Sequence, residues 1–358
     1  MADSSHGTGG LTFDISKRSL PPEAGVAIAL VLIVIVFELL GRLLMNDSFL
    51  FNTRENVSGI FNQARLEIII LQVSIIGIIA LGVTQVIITG GIDLSSGSVV
   101  GATAMIAMSF AQVSEINGLE NTRAVFFDQG LVDLPIIVPL FVGIICGLIA
   151  GAINGLLIAY TGIPPFIATL GMMVSARGVA KWWTAGQPVS FPTESYAEIG
   201  AGMMPVVIFI LLAMLIHLLL RYTVYGKHTY AIGSNEAAAR MSGIKVARHK
   251  VLVYTIAGLL AGVAALVLSS KNLTAQAGMG TMYELDAIAM AVIGGVSLSG
   301  GRGSIPGTVL GALIFGVIIS GFTFLRLDAY YQEMVKGAII VGAVVLDQWR
   351  QRRSAARR

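Results

Sequence analysis

The sequence predicts an all-α polytopic membrane protein, and three observations carry that prediction. The chain of 358 residues is 55% hydrophobic and 12% charged, whereas soluble domains carry roughly 25% charged residues. Apolar runs of about 20 residues, the length that crosses a bilayer as a helix, recur along the whole chain. These runs lack the alternation of apolar and polar residues that the strands of a membrane β-barrel show.

About ten apolar runs are candidate transmembrane helices, some of them broken by Gly and Pro. They divide the chain into an N-terminal tail (1–23), a transmembrane domain (24–348) and a basic C-terminal tail (349–358). The two shortest runs need flanking residues in order to cross the membrane. In chain order the runs are 24–45, 66–89, 98–113, 135–160, 165–183, 204–220, 251–270, 287–296, 306–325 and 334–346.

The basic residues predict an orientation, since Lys and Arg collect in cytoplasmic loops. The tail QWRQRRSAARR holds five arginines, and the loop 221–250 holds six Lys and Arg residues. The loop 114–134 instead has four acidic residues against Arg123 alone. Charge placement and a count of ten spans agree: both place the two termini and the loop 221–250 in the cytoplasm, with the loop 114–134 outside.

Two glycine-rich segments echo each other, GGIDLSSG at 90–97 and GGVSLSGG at 294–301. Transporters often contain duplicated halves, and an inverted duplication gives its two copies opposite orientations. The ten-span count gives these two segments the same orientation. An internal duplication and a chance likeness therefore both stay open.

The segment GSNEAAARMSGI, at 233–244, is predicted to be a short helix within the basic loop. Ser234 or Asn235 can cap its first turn, and Glu236 then suits the positive end of the helix dipole. Gly243 is a typical terminator. The three alanines after Glu236 favour a helix and give it a narrow body that fits a partner's groove. The alternative is a solvated connector whose charges only follow the positive-inside pattern.

Four stretches resemble the permease subunits of ATP-binding-cassette importers for monosaccharides, the ribose, xylose, galactose and myo-inositol group. The likeness runs in the right order from about residue 66 to residue 347. The stretches are TVYGKHTYAIGSNEAAARMSGI (223–244), ITGGIDLSSGSVVG (88–101), NGLLIAYTGIPPFIATLGMM (154–173) and MYELDAIAMAVIGGVSLSGGRGSIPGTVLGA (282–312).

The resemblance implies a function for the loop helix. In that family the helix docks into a cleft of a separate ATPase subunit and transmits the movement that ATP causes there. The candidate coupling residues are therefore Asn235, Glu236, Ala237, Ala238, Ala239, Arg240 and Gly243.

The resemblance also implies the partners: an ATPase subunit, a periplasmic sugar-binding protein and a second copy of the permease, in a bacterial inner membrane. The substrate is expected to be a monosaccharide or a related polyol, with ATP bound by the partner subunit. The chain has neither the phosphate-loop pattern GxxxxGK[ST] nor the zinc pattern HExxH. It is therefore expected to be no enzyme and to hold no cofactor or metal, and its scattered basic residues argue against a nucleic-acid partner.

Two further segments are candidates for the sugar path. Asp93, Ser95 and Ser96 follow two glycines. Either a broken helix lines the path there, or these residues only cap a helix. Phe166 and Thr169, three residues apart on one helix face, can offer an aromatic plate and a hydroxyl, or can be ordinary packing residues.

An ion-coupled secondary transporter is the alternative function, and such proteins bury carboxylates or histidines near mid-membrane. Here Glu38 is the main deep candidate, and His217 lies near the end of a span. A membrane enzyme is not expected, because no nucleophile–base or metal pattern occurs. Arg177 falls inside a predicted span and is expected to pair with Glu284 or Asp286, or to reach the surface.

Overall fold

A computed structural model describes residues 22–51 and 60–355, and helices dominate that part of the chain. Most of the predicted N-terminal tail, 1–21, lies outside the described residues, as does 356–358. The α-helices are α1 (Pro22–Leu40), α2 (Gln63–Ile88), α3 (Ser96–Ser109), α4 (Ile137–Leu156), α5 (Pro165–Trp183), α6 (Glu194–Ala197), α7 (Met204–Tyr222), α8 (Val224–Ser234), α9 (Glu236–Met241), α10 (Val246–Asn272), α11 (Tyr283–Ile293), α12 (Ile305–Phe324) and α13 (Ala329–Ala355).

Shorter elements extend or join these helices. A π-helical turn continues α1 over Gly41–Met45 and another continues α4 over Leu157–Thr161, while a 3₁₀ turn, Glu198–Gly200, follows α6. Two antiparallel pairs of two-residue strands are present in the described residues: β1 (Glu115–Ile116) with β2 (Leu119–Glu120), and β3 (Val189–Ser190) with β4 (Thr274–Ala275).

Six helices in the described part of the chain are long and apolar enough to cross a membrane. Every predicted run overlaps a helix, but α3 has only 14 residues and α11 only 11. The all-α membrane class is confirmed, while ten crossings stay a prediction. The six are Glu23–Met45, Gln63–Ile88, Ile137–Thr161, Met204–Tyr222, Val246–Asn272 and Ile305–Phe324.

Helices α2 and α10 form the centre of the bundle. Every residue of α2 from Val73 to Ile88 is buried, as expected for a helix that is apolar on all sides. α10 packs against α2, α3 and α4, while α11 and α12 pack on α2. The chain segments after α2 and α11 therefore emerge next to the core of the bundle.

A glycine seam joins α4 to α10. A Cβ on Gly147 would overlap the Gly258 carbonyl, and a Cβ on Gly151 would overlap the Tyr254 carbonyl. Gly155 also comes close, since its Cβ would lie 2.7 Å from the Val251 Cα. Gly151 and Gly155 have the small-xxx-small spacing that favours such close approach of helices in membranes.

The C-terminal helix differs from the prediction. The sequence predicts a span at 334–346 and a separate tail from 349, but α13 runs unbroken to Ala355. Lys336 Nζ lies 3.2 Å from Asp286 Oδ2 of α11, which fastens α13 to the bundle. The helix continues into the tail because Arg, Gln and Ala are good helix formers.

Candidate functional site: the coupling segment and the loops beneath it

The predicted loop helix is α9, and its cap and terminator are confirmed. Asn235 is the N-cap, and its side chain accepts a hydrogen bond from Ala238 N at 3.0 Å. Ser234, the other candidate cap, instead donates to the Tyr230 carbonyl at 2.8 Å. Gly243 comes after the helix with φ +86°, a left-handed conformation that glycine adopts without strain. We call residues 223–245, which contain α8 and α9, the coupling segment.

The two faces of α9 differ in burial. Ala239, one of the predicted coupling residues, is buried in a small apolar cluster with Ile232 and Val246. The outward face holds Ala237, Ala238, Arg240 and Met241. Met241 is 90% exposed and was missed by the sequence reasoning, although a large apolar residue in a polar loop is a usable signal of a contact surface.

Glu236 fastens α9 to the bundle. Its carboxylate lies 2.7 Å from Lys250 Nζ of α10 and 3.2 Å from Arg240 Nη2. The hydrogen bond from Lys250 lowers the pKa of Glu236 below its usual value. Arg240 and Lys250 are therefore paired within the chain, and the nearby cations Lys245 and Arg248 are exposed.

Helix α8 was not predicted. It is the part of the coupling segment that packs against the transmembrane helices. Tyr225 Oη donates to Gln85 Oε1 of α2 at 2.7 Å. Tyr230 Oη donates to the Gly303 carbonyl at 2.8 Å, and burial raises the pKa of this hydroxyl. α8 therefore contacts both the end of α2 and the glycine-rich loop before α12.

Gly233, near the end of α8, makes the closest contact. A Cβ there would overlap the Ile88 carbonyl and would lie 2.6 Å from Gly301 N. Gly301 N itself donates to the Ile88 carbonyl at 2.8 Å. The last residues of α8, the last residue of α2 and the loop 294–303 thus meet backbone to backbone.

The two echoing segments, 90–97 and 294–301, lie next to each other at this place. A Cβ on Gly300 would lie 3.1 Å from Gly90 N. Both segments are therefore at the same end of the bundle, as the ten-span count expects. An inverted duplication places its copies at opposite ends, so this pair is no sign of one.

Asp93 is buried and bonds within its own loop. Its Oδ1 accepts from Ser95 N at 2.8 Å and from Ser95 Oγ at 2.6 Å. A carboxylate that holds the backbone two residues on is an Asx turn, and here it fixes the residue that precedes α3. These bonds favour the capping interpretation of Asp93 over direct contact with a sugar.

Three buried polar atoms around this loop have no hydrogen-bond partner in the described residues: Ser96 Oγ, Asn154 Oδ1 and Glu284 Oε2. The amide nitrogen of the same side chain, Asn154 Nδ2, donates to Ser95 Oγ at 2.8 Å. A Cβ on Gly97 would overlap the Glu284 carboxylate, so this acid lies directly against α3. Asn154 and Glu284 were not among the sequence-predicted path residues, although a polar residue in an apolar run is the signal that finds them.

Phe166 and Thr169 do not meet on one surface. Thr169 is buried and its hydroxyl donates to the Pro165 carbonyl at 2.9 Å, whereas Phe166 is 50% exposed. Arg177 donates to the Ala277 and Met279 carbonyls and is attracted by Glu284. Asp286, the other expected partner of Arg177, accepts a hydrogen bond from Lys336.

Glu38, the deep carboxylate of the ion-coupled alternative, is held by several donors. It accepts from Arg42 Nε at 2.8 Å, from Ser48 Oγ at 2.6 Å, and from the backbone amides of Phe49 and Leu50. These bonds close the turn between α1 and residue 50. The burial of the Glu38 carboxylate is therefore explained by its structural role in holding this turn.

Comparisons with known proteins agree with the sequence resemblance. The family described as branched-chain amino acid transport system / permease component matches residues 65–344. The ribose import permease protein of Bacillus subtilis is 38% identical, with 94% of each chain covered. The galactose/methyl galactoside import permease protein of Haemophilus influenzae is 34% identical, over 94% of this chain and 95% of its own. The ribose import permease protein of Escherichia coli K12 is 36% identical over 82% and 87%.

No solved structure matches the chain. The family match covers most of the sequence, and the relatives align over nearly their whole length. The chain therefore belongs to this family of transport permeases, and its resemblance to permease subunits of ATP-binding-cassette sugar importers is confirmed.

Proposed function

We propose that this chain is the transmembrane permease subunit of an ATP-binding-cassette importer that moves a monosaccharide or related polyol across the bacterial inner membrane. Relatives named for the import of ribose and of galactose support the sugar class. The pentose, hexose or inositol that it carries is decided largely by a periplasmic binding protein, which delivers the substrate.

In the proposed assembly two copies of the permease enclose the path and separate ATPase subunits bind ATP. Each copy crosses the membrane ten times, and both termini face the cytoplasm. The basic loop 221–250 and the acidic loop 114–134 support this orientation.

The outward face of α9 is proposed to dock into a cleft of the ATPase subunit. One observation carries this assignment: α9 presents Ala238 and Met241 to the outside while its other side is fixed to the bundle by Glu236 and Ala239. A docking element that transmits force must combine an open face with a rigid attachment. α9 has both.

Helix α8 is proposed to carry the movement from α9 to the transmembrane helices. Its end rests, at Gly233, on the junction of α2 with the loop 294–303. That junction leads directly into α12, whose N-cap is Ser304. A displacement of α9 would therefore reach two buried helices with no flexible side chain in between.

The sugar path is proposed to run beside the loop 90–97. Ser96 Oγ, Asn154 Oδ1 and Glu284 Oε2 are unsatisfied in the described residues, and buried polar atoms gain free energy from a hydrogen-bonding partner. Sugar hydroxyls can serve as such partners. Asp93 then shapes the loop, while Phe166 and Thr169 stay weaker candidates for the path.

Cross-linking tests the docking assignment. The chain has one cysteine, Cys146, so Ala238→Cys in a Cys146→Ser background gives one reactive site. A cross-link to the ATPase subunit is expected. Thr122→Cys, exposed in the acidic loop, is the matched control and should give none. Cross-links from Ala238→Cys only to other proteins would contradict the assignment.

A second experiment identifies the substrate and challenges the importer class. Ligand binding raises a protein's apparent stability, so thermal shifts of the partner binding protein with pentoses, hexoses and inositols name the sugar. Sugar uptake by vesicles that hold this chain, an ion gradient and no ATPase subunit would instead support ion-coupled transport.

A further inference from the structure

A polar cavity opens at the end of α2 opposite the coupling segment. α2 has 26 residues and is about 39 Å long at 1.5 Å per residue, so its two ends lie at opposite sides of the bundle. The cavity has a volume of about 620 Å³ and lies between the ends of α1 and α12 and the start of α2. Its polar lining includes Arg65, Arg326, Asn62, Gln72 and Ser320.

Arg65 is held in a fixed position but is not satisfied. Its guanidinium carbon lies 4.1 Å from the centre of the Phe324 ring and 5.5 Å from that of Phe49. Such cation–π stacking orients the planar group. Its Nε is buried and has no hydrogen-bond partner in the described residues. A buried unpaired donor on a cation costs free energy, so the geometry points to an anionic group that is not among the described residues.

The charge of the lining agrees with an anion. Arg326 supplies a second guanidinium, on a residue with φ +56° that turns the chain directly after α12. Asp47 is the carboxylate of the lining in the described residues; its Oδ1 accepts from Ser48 N at 2.8 Å, and it attracts Arg65. Among the described lining residues, two guanidinium groups against one carboxylate leave a net positive charge. Guanidinium forks match phosphate oxygens in geometry as well as in charge.

The surroundings of the cavity separate a lipid phosphate from a dissolved one. Ile68, in the lining itself, is exposed, and the neighbouring Leu43 and Leu44 of the π-helical turn are more exposed still, Leu43 at 79%. A chain that spans a membrane turns such side chains towards acyl chains. A lipid whose headgroup entered the cavity would therefore have apolar side chains along its tails, whereas a free phosphate ion would leave them unused.

We propose that this cavity binds the phosphate headgroup of an anionic phospholipid, in the outer leaflet on the orientation proposed above. Arg65 and Arg326 contact the phosphate oxygens, and Asn62, Gln72 and Ser320 can bond to the glycerol hydroxyls of the headgroup. On the cytoplasmic side of membranes, basic pockets between transmembrane helices bind anionic lipid headgroups, and the same chemistry is proposed here for the other side. The lipid would join α1, α2 and α12 at the end of the bundle where no coupling segment holds them.

Lipid titration of the purified full-length permease tests the proposal, with thermal unfolding and native mass spectrometry as readouts. Phosphatidylglycerol should raise the unfolding temperature and be retained, whereas zwitterionic phosphatidylcholine should do neither. Arg326→Gln, at an exposed position, should weaken phosphatidylglycerol binding about ten-fold, because a charge-assisted hydrogen bond is lost. Arg65→Gln should weaken it further. Arg123→Gln, an exposed arginine outside the cavity, is the matched control and should change nothing.

Three results would overturn the proposal. Equal stabilisation by phosphatidylglycerol and phosphatidylcholine would show a general lipid effect. Equal weakening by Arg123→Gln would show a non-specific charge effect. Stabilisation by inorganic phosphate, without retained lipid, would assign the cavity to a dissolved anion. Arg65→Lys keeps the charge but loses the stacked fork, and should weaken binding by less than Arg65→Gln. An unchanged unfolding temperature of lipid-free Arg326→Gln would exclude a folding defect as the cause of its weaker binding.

Discussion

The two glycine-rich loops resemble each other in sequence but differ in the groups that they contact. In the loop 90–97 the polar side chains turn inward: Asp93 Oδ1 accepts from Ser95 Oγ, and Ser95 Oγ accepts in turn from Asn154 Nδ2. In the loop 294–303 the backbone itself is the contact surface, since Gly300 and Gly301, with φ +80° and +71°, lie against α8. The loop 90–97 therefore holds buried polar side chains in place, whereas the loop 294–303 forms the surface against which α8 packs.

The difference teaches that a shared glycine pattern sets backbone freedom and not function. Both loops need glycine where the chain leaves a helix, at Gly90 and at Gly295, each in the left-handed region. The residues after these glycines decide the function of each loop. Asp93 gives the first loop a carboxylate. In the second loop, additional glycines leave the backbone accessible, because they carry no side chains that would cover it.

The largest effect is expected from filling the contact that the second loop makes with α8. Gly233→Ala places a Cβ onto the Ile88 carbonyl, and overpacking against backbone costs about 3 kcal/mol. Sugar uptake should fall roughly a hundred-fold while the protein still inserts, as measured by uptake in cells and by membrane content.

Gly178→Ala is the matched control, because nothing lies within 4 Å of a Cβ there. It should transport normally. Wild-type uptake by Gly233→Ala would contradict the role of α8 as the connection between the ATPase and the bundle.

The next effect concerns the attachment of α9. Glu236→Lys replaces the partner of Arg240 and Lys250 by a third cation, so α9 should detach from α10. Uptake should fall, though by less than in Gly233→Ala, while ATPase activity of the assembled complex continues, which is the signature of uncoupling. Glu236→Gln keeps the size and can still accept a hydrogen bond, and should lose less.

A smaller effect is expected in the first loop. Asp93→Asn keeps an oxygen that can accept from Ser95 N, so the turn should survive at a cost within about 1 kcal/mol. Thermal unfolding and uptake should both change little. Asp93→Leu, which removes the acceptor, should destabilise more. Full loss of uptake in a well-folded Asp93→Asn protein would instead favour direct contact of Asp93 with the sugar.

The smallest effect is a pH dependence of α9. The pKa of Glu236 is lowered in the folded protein by the Lys250 hydrogen bond. The stabilisation is therefore complete above the unfolded value of about 4.3 and is lost only as the pH falls through the lowered folded pKa. Hydrogen exchange of residues 236–241, corrected for intrinsic rates, should be flat from about pH 5.5 to 8. In Glu236→Gln the protection should be weaker and equally flat; a decline near neutral pH in the wild type would contradict the ion pair.

Local signals predicted α9 well, and tertiary contacts explain what the sequence missed. The cap Asn235 and the terminator Gly243 act within one turn of the helix, so the sequence displays them directly. α8 contains two glycines and several β-branched residues, which are poor helix formers. Tyr225 and Tyr230 hold this helix in place through hydrogen bonds to distant residues. Such long-range bonds cannot be predicted from the local sequence.

Burial of single residues was equally hard to read from spacing. Thr169 and Phe166 are three apart, which places them on neighbouring positions of a helix, yet one is buried and the other half-exposed. The neighbours of α5 decide this, and they come from remote parts of the chain. Apolar length, by contrast, is a property of the segment itself, so each predicted run did fall on a helix.

The glycine seam between α4 and α10 restricts how this protein can change shape. Main chain rests directly on main chain along Gly147, Gly151 and Gly258, so there are no rotamers to switch and no soft layer to compress. Helices α4 and α10 should therefore move together as one rigid body. Any gate has to open along boundaries that are lined by longer side chains, where helices can slide.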